Sequence, residues 1–292
     1  MAVELIMTPV VVSADWLAST LGSVRVFDAS SHLPTVKRDA GAEFLAAHIP
    51  GALRFDIDAI AEKTHPMPHM VPTPGFFAES LQALGVNQND HVVVYDDSDV
   101  KTAARAWWMM RLFGHARVSI LDGGLAAWKA AGGALESGEP SDVPQGNFTA
   151  GPAVGVGVVD IDRLAAAVAG GTAGQIADAR AAARFAGDAP EPRPGLRAGH
   201  IPGSCNLPFT RLLNEDGTMR DATAIRTVFA EAGIDPDAPV TASCGSGVTA
   251  CVLAAGLALA GNGQVTVYDG SWTEWGSSDE PIETGPARQR GV

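Results

Sequence analysis

A cysteine that precedes a turn of small residues is the feature of this sequence best suited to chemistry. Cys244 ends an apolar run and is followed by Gly245, Ser246 and Gly247, after which an apolar helical pattern begins. Glycines permit a tight turn with successive backbone N–H groups pointing inward, and the N-terminus of the next helix adds partial positive charge. We therefore expect the loop to stabilise a thiolate or another sulfur anion, with the hydroxyls of Ser246 and Thr249 beside it.

Three other chemistries fit this loop less well. A nucleotide phosphate loop ends in Gly-Lys-Ser/Thr, and residues 244–249 contain no lysine. A cysteine phosphatase needs an arginine six residues after its cysteine to hold the phosphate, where this chain has Ala250. Nothing in the sequence marks the base of a cysteine protease. Two interpretations of Cys244 remain, a reactive sulfur and a buried thiol that only packs.

The elements around Cys244 are predicted from hydrophobic periodicity. Short β-rich runs alternate with apolar patterns of period near 3.6. They predict strands at 24–28, 91–95, 118–121, 240–243 and 265–268, and helices at 100–113, 160–169 and 247–260. This alternation is typical of an α/β fold with a mostly parallel sheet flanked by helices. Ligands bind such sheets beyond the carboxyl ends of the strands, which is where Cys244 falls.

The sequence contains two copies of one pattern, about 150 residues apart. Four pairs of segments match in the same order: VRVFDAS (24–30) with GQIADAR (174–180), AAHIPGALRFD (46–56) with AGHIPGSCNLPF (198–209), HVVVYDDSDVKTAARAWWMM (91–110) with PVTASCGSGVTACVLAAGLA (239–258), and VSILDGGLAAW (118–128) with VTVYDGSWTEW (265–275). Four matches in one order predict a duplicated domain. The stretch between the copies is rich in Pro, Gly and Ser, so we predict domains at 1–136 and 156–292 joined by a linker over 137–155.

Composition narrows the class of protein. The 292 residues are 46% hydrophobic and 18% charged, which is typical of a soluble globular protein. A net charge of −13 argues against nucleic acid and anionic membrane surfaces as partners. The N-terminus shows neither the basic region nor the cleavage site of a signal peptide, and no apolar run is long enough to span a bilayer. Three cysteines without zinc-ligand spacing favour a reduced, cytoplasmic protein with no structural metal.

The motifs CGSGVT, FLAAHIPGALRF (44–55) and VTVYDGSWTEW resemble the rhodanese superfamily of sulfurtransferases, and the resemblance covers nearly the whole chain. It implies two tandem rhodanese-like domains, the first catalytically silent and the second with a persulfide-forming cysteine, here Cys244. The matching position in the first copy is Asp96, which cannot carry sulfur. The resemblance also implies an enzyme without cofactor or metal. Its partners would be a small-molecule sulfur donor and an acceptor that is a thiol, a thioredoxin-like protein or cyanide.

The residues after Cys244 bear on the choice of donor. Family members that use thiosulfate resemble Cys-Arg-Lys-Gly-Val-Thr, and two cations suit a dianion. Here those positions are the neutral Gly245 and Ser246. The resemblance therefore implies 3-mercaptopyruvate, with one carboxylate and a thiol, as the donor. A thiosulfate sulfurtransferase and a non-catalytic persulfide carrier remain as alternatives.

The resemblance also implies the remaining site residues. Arg184 and Arg193, nine residues apart in the family's spacing, are expected to hold the donor's carboxylate and ketone, since a planar guanidinium can bind a carboxylate with two hydrogen bonds. This pair argues against a pure carrier, which needs no such clamp. The loop residues expected to contact the substrate are Gly245, Gly247, Val248 and Thr249.

A proton relay is expected from the first domain. The resemblance implies an Asp and a His from residues 55–74 acting with Ser246, and by spacing these are Asp58 and His69, with Asp56 as the second candidate Asp. Arg105 is a further candidate to face the cleft.

Other conspicuous residues are assigned packing roles. His48 and His200 recur in both HIPG turns, including that of the silent copy, so we expect them to be structural. Trp128 and Trp275 recur after the DGG and DGS turns and are expected in the cores. Cys251 and Cys205 are predicted to be buried thiols, with a redox role left open for Cys205.

Overall fold

The computed structural model describes residues 8–287, which form two five-stranded sheets, one in each copy of the repeat. The N-terminal domain runs through β1 (Val11–Val12), α1 (Ala14–Thr20), β2 (Arg25–Asp28), α2 (Ala40–Ala46), β3 (Leu53–Arg54), α3 (Ile57–Ile60), α4 (Pro74–Ala83), β4 (Val92–Tyr95), α5 (Ala103–Leu112), β5 (Val118–Leu121) and α6 (Gly124–Ala130). The C-terminal domain runs through β6 (Val156–Val159), α7 (Ile161–Ala169), β7 (Gln175–Asp178), α8 (Ala182–Ala186), β8 (Cys205–Asn206), a 3-10 turn (Phe209–Leu212), α9 (Ala222–Glu231), β9 (Val240–Ser243), α10 (Ala250–Leu259), β10 (Val265–Tyr268) and α11 (Ser271–Trp275).

Both sheets have the same topology. Their strand orders are β1-β5-β4-β2-β3 and β6-β10-β9-β7-β8, and the strands within each sheet pair in parallel. The central strand β4 is Val92–Tyr95 and is buried along its whole length, as expected of a parallel strand covered by helices on both faces. The predicted α/β class with mostly parallel sheets is confirmed.

The predicted strands and helices all occur, with bounds within three residues of those predicted. Helices α5 and α10 begin three residues later than predicted, at Ala103 and Ala250, because the preceding residues form the turns that follow β4 and β9. The two-residue strands β1, β3 and β8 are too short to give a periodic signal. Within residues 8–287, no helix is long and apolar enough to cross a membrane.

The two domains pack through equivalent helices. Helix α5 lies against α10, and one apolar core extends through both domains. Trp107 and Trp108 of α5 and Leu253 of α10 are fully buried there. The indole N–H of Trp108 also donates to the carbonyl of Gly157 across the interface, at 3.3 Å.

Equivalent aspartates of the two copies also cross the interface. Asp122, which follows β5, accepts the N–H of Met219 at 2.7 Å. Asp269, which follows β10, accepts the N–H of Val71 at 2.7 Å. The carboxyl ends of both sheets therefore face the same interface, and a site at the end of β9 receives residues from both domains.

The segment 137–155, predicted as a linker, lies along the N-terminal domain. Phe148 is fully buried, its N–H donates to the carbonyl of Val86 at 3.1 Å, and its carbonyl accepts from the side chain of Gln82 at 2.9 Å. The domain boundaries given above stay a prediction.

The recurrent histidines and tryptophans are buried in the two domains. His48 stacks on Phe44 with ring centroids 4.1 Å apart, and His200 stacks on Phe185 at 3.7 Å. The Nδ1 of each imidazole also lies 2.8 Å from the backbone carbonyl oxygen of the phenylalanine on which it stacks. Trp128 and Trp275 are likewise buried. These positions pack the domains and lie outside the cavity described next.

Candidate active site

The loop from β9 to α10 holds Cys244 in a tight turn. Gly247 has φ of +74°, a left-handed conformation that favours glycine. A Cβ at Gly247 would lie 2.5 Å from the carbonyl oxygen of Asp269, so a side chain at this position would also clash with backbone. The cysteine that the turn presents is 1% exposed.

The carbonyl groups of this loop are bound from outside the turn. The N–H of Trp272 donates to Cys244 O at 2.9 Å, and the N–H of Thr273 donates to Gly245 O at 2.8 Å. Within residues 8–287, the backbone N–H groups of 245–249 have no hydrogen-bond acceptor. These donors, together with the N-terminus of α10, favour an anion such as a thiolate or a persulfide on Cys244.

Ser271 supports the loop and was missed by the sequence analysis. Its Oγ accepts the N–H of Cys244 at 3.1 Å, donates to the carbonyl of Tyr268 at 2.8 Å, and lies 3.9 Å from Cys244 Sγ. Ser271 has φ of +49°, and the equivalent residue of the first copy, Gly124, has a similar left-handed φ of +60°. A serine in a conformation that suits glycine indicates that its hydroxyl is needed there. The sequence signal that could have identified Ser271 was the change from DGG (122–124) in the first copy to DGS (269–271) in the second.

Arg184 is oriented by a second missed residue, Glu191. The Glu191 carboxylate is 5% exposed and accepts from Arg184 Nε at 3.1 Å and from Arg180 Nη1 at 2.7 Å. Arg180 is also paired with Asp178 at 2.7 Å. One carboxylate is therefore shared by two guanidinium groups, and Arg184 reaches the loop beside Gly245, where a Cβ would meet its Nη2 at 3.1 Å. The sequence signal was ambiguous, because two acidic residues, Asp188 and Glu191, lie between the two predicted arginines.

His69 connects Asp58 and Arg193. Its Nδ1 lies 2.6 Å from Asp58 Oδ1, and its Nε2 lies 3.3 Å from Arg193 Nη2. The hydrogen bond with His69 holds the pKa of Asp58 below its ordinary value, and burial lowers the pKa of Arg193. The alternative candidate Asp56 caps α3 instead, accepting the N–H groups of Asp58 and Ala59 at 2.9 and 3.0 Å.

One cavity of about 540 Å³ collects most of the predicted site residues. Its polar wall contains Asp58, His69, Arg184, Arg193, Cys244, Gly245, Ser246 and Thr249. Its apolar wall contains Leu33, Pro34, Ile57, Val100, Phe209 and Val248. Gly247 shapes the loop but does not line the cavity. Arg105, expected to face the cleft, is instead fully buried behind the loop.

In the equivalent loop of the first copy, an aspartate side chain occupies the space at the N-terminus of the helix. Asp96 takes the position of Cys244, and its Oδ2 accepts the N–H of Ala103 at the start of α5, at 2.7 Å. Burial raises the pKa of Asp96 to about 6. This copy thus contains no thiol in its loop, and an internal carboxylate occupies the N-terminus of its helix.

The other two cysteines lie in the core. Cys251 is fully buried with its Sγ 3.2 Å from the carbonyl of Gly247, and burial raises its pKa to about 12, which disfavours the reactive thiolate. Cys205 is also buried. In the part of the chain that the structure describes, no group of three His, Cys, Asp or Glu residues is placed to hold a metal ion.

Comparisons with known proteins show the family to which the chain belongs. The family model of the rhodanese-like domain matches twice, at residues 13–131 and 160–278. The chain is 44% identical to the 3-mercaptopyruvate sulfurtransferase of Escherichia coli K12 over 278 residues, covering 93% of this chain and 97% of that protein. It is 40% identical to the thiosulfate sulfurtransferase of Gallus gallus over 272 residues, covering 90% and 92%.

The fold is also similar to a solved structure. The crystal structure of SseA from Escherichia coli, described as a 3-mercaptopyruvate sulfotransferase, superposes with a TM-score of 0.81 and 41% identity. That match covers 91% of this chain and 99% of SseA.

Proposed function

The chain belongs to the rhodanese-like family, with one such domain in each half, and from this premise we propose that it is a 3-mercaptopyruvate sulfurtransferase that carries sulfur on Cys244. The observation that carries the proposal is the composition of the cavity. Cys244 shares it with two arginines able to bind a carboxylate, while the loop positions Gly245 and Ser246 carry no charge that would favour a dianion.

In the first half-reaction, the Cys244 thiolate attacks the sulfur of the donor. The S–S bond forms as the donor's carbon–sulfur bond breaks, and the electron pair passes to the enolate of pyruvate, whose oxygens Arg184 and Arg193 hold. The proton of the donor's thiol is transferred to the methylene carbon through Ser246, His69 and Asp58. The products are pyruvate and a Cys244 persulfide anion, so protons and charge balance.

In the second half-reaction, an acceptor removes the outer sulfur. The N–H groups of 245–249 stabilise the persulfide anion until a small dithiol, a thioredoxin-like protein or cyanide attacks it. The transferred group is the sulfur itself, so the reaction calls on no resident cofactor. The sparse, buried cysteines favour a reducing compartment, and we propose the cytoplasm.

Intact mass after brief exposure to each donor tests the proposal, with pyruvate assayed alongside. The wild-type chain is expected to gain one sulfur atom and release one pyruvate with 3-mercaptopyruvate. Cys244→Ser should gain none while its melting temperature stays near that of the wild type. Cys205→Ala, which removes a buried thiol outside the cavity, is the matched control and should gain sulfur normally.

The same measurement separates the alternatives. Sulfur gained mainly from thiosulfate would make the chain a thiosulfate sulfurtransferase and would contradict the argument from Gly245 and Ser246. No gain from either donor would indicate a carrier that receives sulfur from a protein. A gain by Cys244→Ser would identify a different nucleophile.

A further inference from the structure

Arg105 of the N-terminal domain makes four contacts behind the candidate active site, two of them with the C-terminal domain. It projects from α5 and is fully buried. Its Nη1 lies 2.7 Å from Asp269 Oδ1 and donates to Gly247 O at 3.2 Å, while its Nη2 donates to the carbonyl of His69. The guanidinium carbon also lies 4.5 Å from the ring centroid of Trp108. One cation therefore binds the Cys244 loop and the backbone of His69 at once.

His69 needs such support because its backbone is strained. Its φ is +62°, the left-handed region that residues with a side chain adopt only at a cost of about 1–3 kcal/mol. Arg105 binds the carbonyl of His69, and Asp269 Oδ2 accepts the N–H of Val71, two residues further on, at 2.7 Å. The ion pair thus holds the backbone at His69 and just after it.

This conformation directs the imidazole into the cavity. With φ of +62°, His69 places Nδ1 at Asp58 and Nε2 at Arg193, 2.6 and 3.3 Å away. Without the contacts from Arg105 and Asp269, the strained backbone would relax toward negative φ, and the ring would leave both partners.

We propose that Arg105 and Asp269 are positioning residues that hold His69 for proton transfer to the leaving pyruvate carbon, and that Arg105 links this histidine to the Cys244 loop through Gly247. The proposal rests on the proposed function, since only a donor that leaves as a carbanion needs the proton. Neither residue touches the substrate: both act through His69.

The chemistry allows the two roles of Arg105 to be separated. Alkylation of Cys244 by iodoacetamide requires the thiolate and its loop but no proton relay. Release of pyruvate in a single turnover requires both. A residue that acts through His69 lowers pyruvate release much more than alkylation, whereas general damage to the loop lowers both alike.

The experiment compares the wild-type chain with Arg105→Gln, Asp269→Asn, His69→Asn and the double variant Arg105→Gln/His69→Asn. General acid–base catalysis contributes about 10²–10⁴-fold, so we expect Arg105→Gln and Asp269→Asn to slow single-turnover pyruvate release by about 30-fold or more. Alkylation of Cys244, followed by peptide mapping, should change by less than about threefold. The double variant should be no slower than His69→Asn, because the two changes remove one function.

Several results would overturn the proposal. Equal losses in alkylation and pyruvate release would show that Arg105 only maintains the loop. Losses that multiply in the double variant would show that it does not act through His69, and unchanged pyruvate release in Arg105→Gln would remove it from the reaction. Should Arg105→Gln fail to fold, Asp269→Asn alone decides, because it keeps side-chain volume while breaking the ion pair. Failure of the wild-type chain itself to release pyruvate would instead refute the proposed function, and this inference with it.

Discussion

Arg193 Nη2 lies 3.3 Å from His69 Nε2, and this contact determines which ring nitrogen carries the proton. A guanidinium can only donate, so Nε2 accepts and the proton lies on Nδ1, facing Asp58. The acceptor nitrogen of His69 is therefore held by the arginine that is expected to bind the substrate's carboxylate. Binding of the donor to Arg193 would release Nε2 to accept the donor's thiol proton, which joins substrate binding to the start of proton transfer.

The orientation of this imidazole depends on Asp58. Asp58→Asn removes the charge that stabilises the Nδ1 tautomer, and we expect kcat with 3-mercaptopyruvate to fall about 10–100-fold with little change in KM. Steady-state pyruvate release measures this. Asp56→Asn is a matched control, because asparagine also caps a helix and Asp56 lies outside the cavity. Equal losses in both variants would contradict the assignment of Asp58.

Replacing either candidate clamp residue by lysine should weaken donor binding. Lysine keeps the charge but loses the planar fork, and a loss of about 1.4 kcal/mol raises KM about tenfold. We expect this for Arg184→Lys and Arg193→Lys with 3-mercaptopyruvate. Arg163→Lys, whose side chain is 81% exposed on α7, should leave the kinetics unchanged. Unaltered KM and kcat in both clamp variants would remove the pair from the site.

Glu191 limits the positive charge around Arg184, one residue of the candidate clamp. Glu191→Gln keeps the shape but leaves Arg184 and Arg180 with one negative charge fewer, so a dianion should bind better relative to a monoanion. We expect the ratio of kcat/KM for thiosulfate over 3-mercaptopyruvate to rise about tenfold, or ~1.4 kcal/mol. Breaking a buried ion pair also costs about 3 kcal/mol of stability, which thermal unfolding would detect. Glu231→Gln, in an exposed pair with Arg211, is the control. A constant ratio would refute this role.

Two substitutions of the strained Ser271 separate the effect of its backbone conformation from the effect of its hydroxyl hydrogen bond. Ser271→Gly and Ser271→Ala both remove the acceptor of the Cys244 N–H, and both should slow alkylation of Cys244. Glycine relieves the positive φ and alanine does not, so we expect Ser271→Gly to be the more stable by about 1 kcal/mol. Chemical denaturation measures the difference. Alkylation at the wild-type rate in both variants would show that the hydroxyl is dispensable.

Asp96 makes stability depend on pH. Burial raises its pKa to about 6 from 3.8, so the unfolded chain ionises first and the folded state loses stability as the pH rises from about 4 to about 6. Asp96→Asn cannot ionise and should be more stable than wild type at pH 8 by about 3 kcal/mol, with no gain at pH 4. Denaturation at both pH values tests this, with the exposed Asp99→Asn as control. An equal effect at both would contradict burial as the cause.

Short-range signals in the sequence were enough to predict the two sheets and the anion-binding character of the Cys244 loop. The alternation of strands and helices and the two ordered copies predicted two parallel sheets, because side-chain periodicity reports which face of an element is buried. The turn after Cys244 predicted a loop suited to an anion, because glycine spacing reports backbone conformation. The resemblance to the rhodanese superfamily then named Asp58, His69, Arg184 and Arg193, which the fold brings to one cavity.

Only the tertiary structure decided which distant polar groups meet. Ser271 reaches Cys244 from 27 residues away, and Arg105 reaches the loop carbonyl of Gly247 from 142 residues away. Periodicity and turn chemistry describe a residue's own neighbourhood, whereas these contacts depend on how two domains pack at the carboxyl ends of their sheets. The same packing put Arg105 behind the loop rather than in the cleft, because a buried charge needs a partner and Asp269 provides one there.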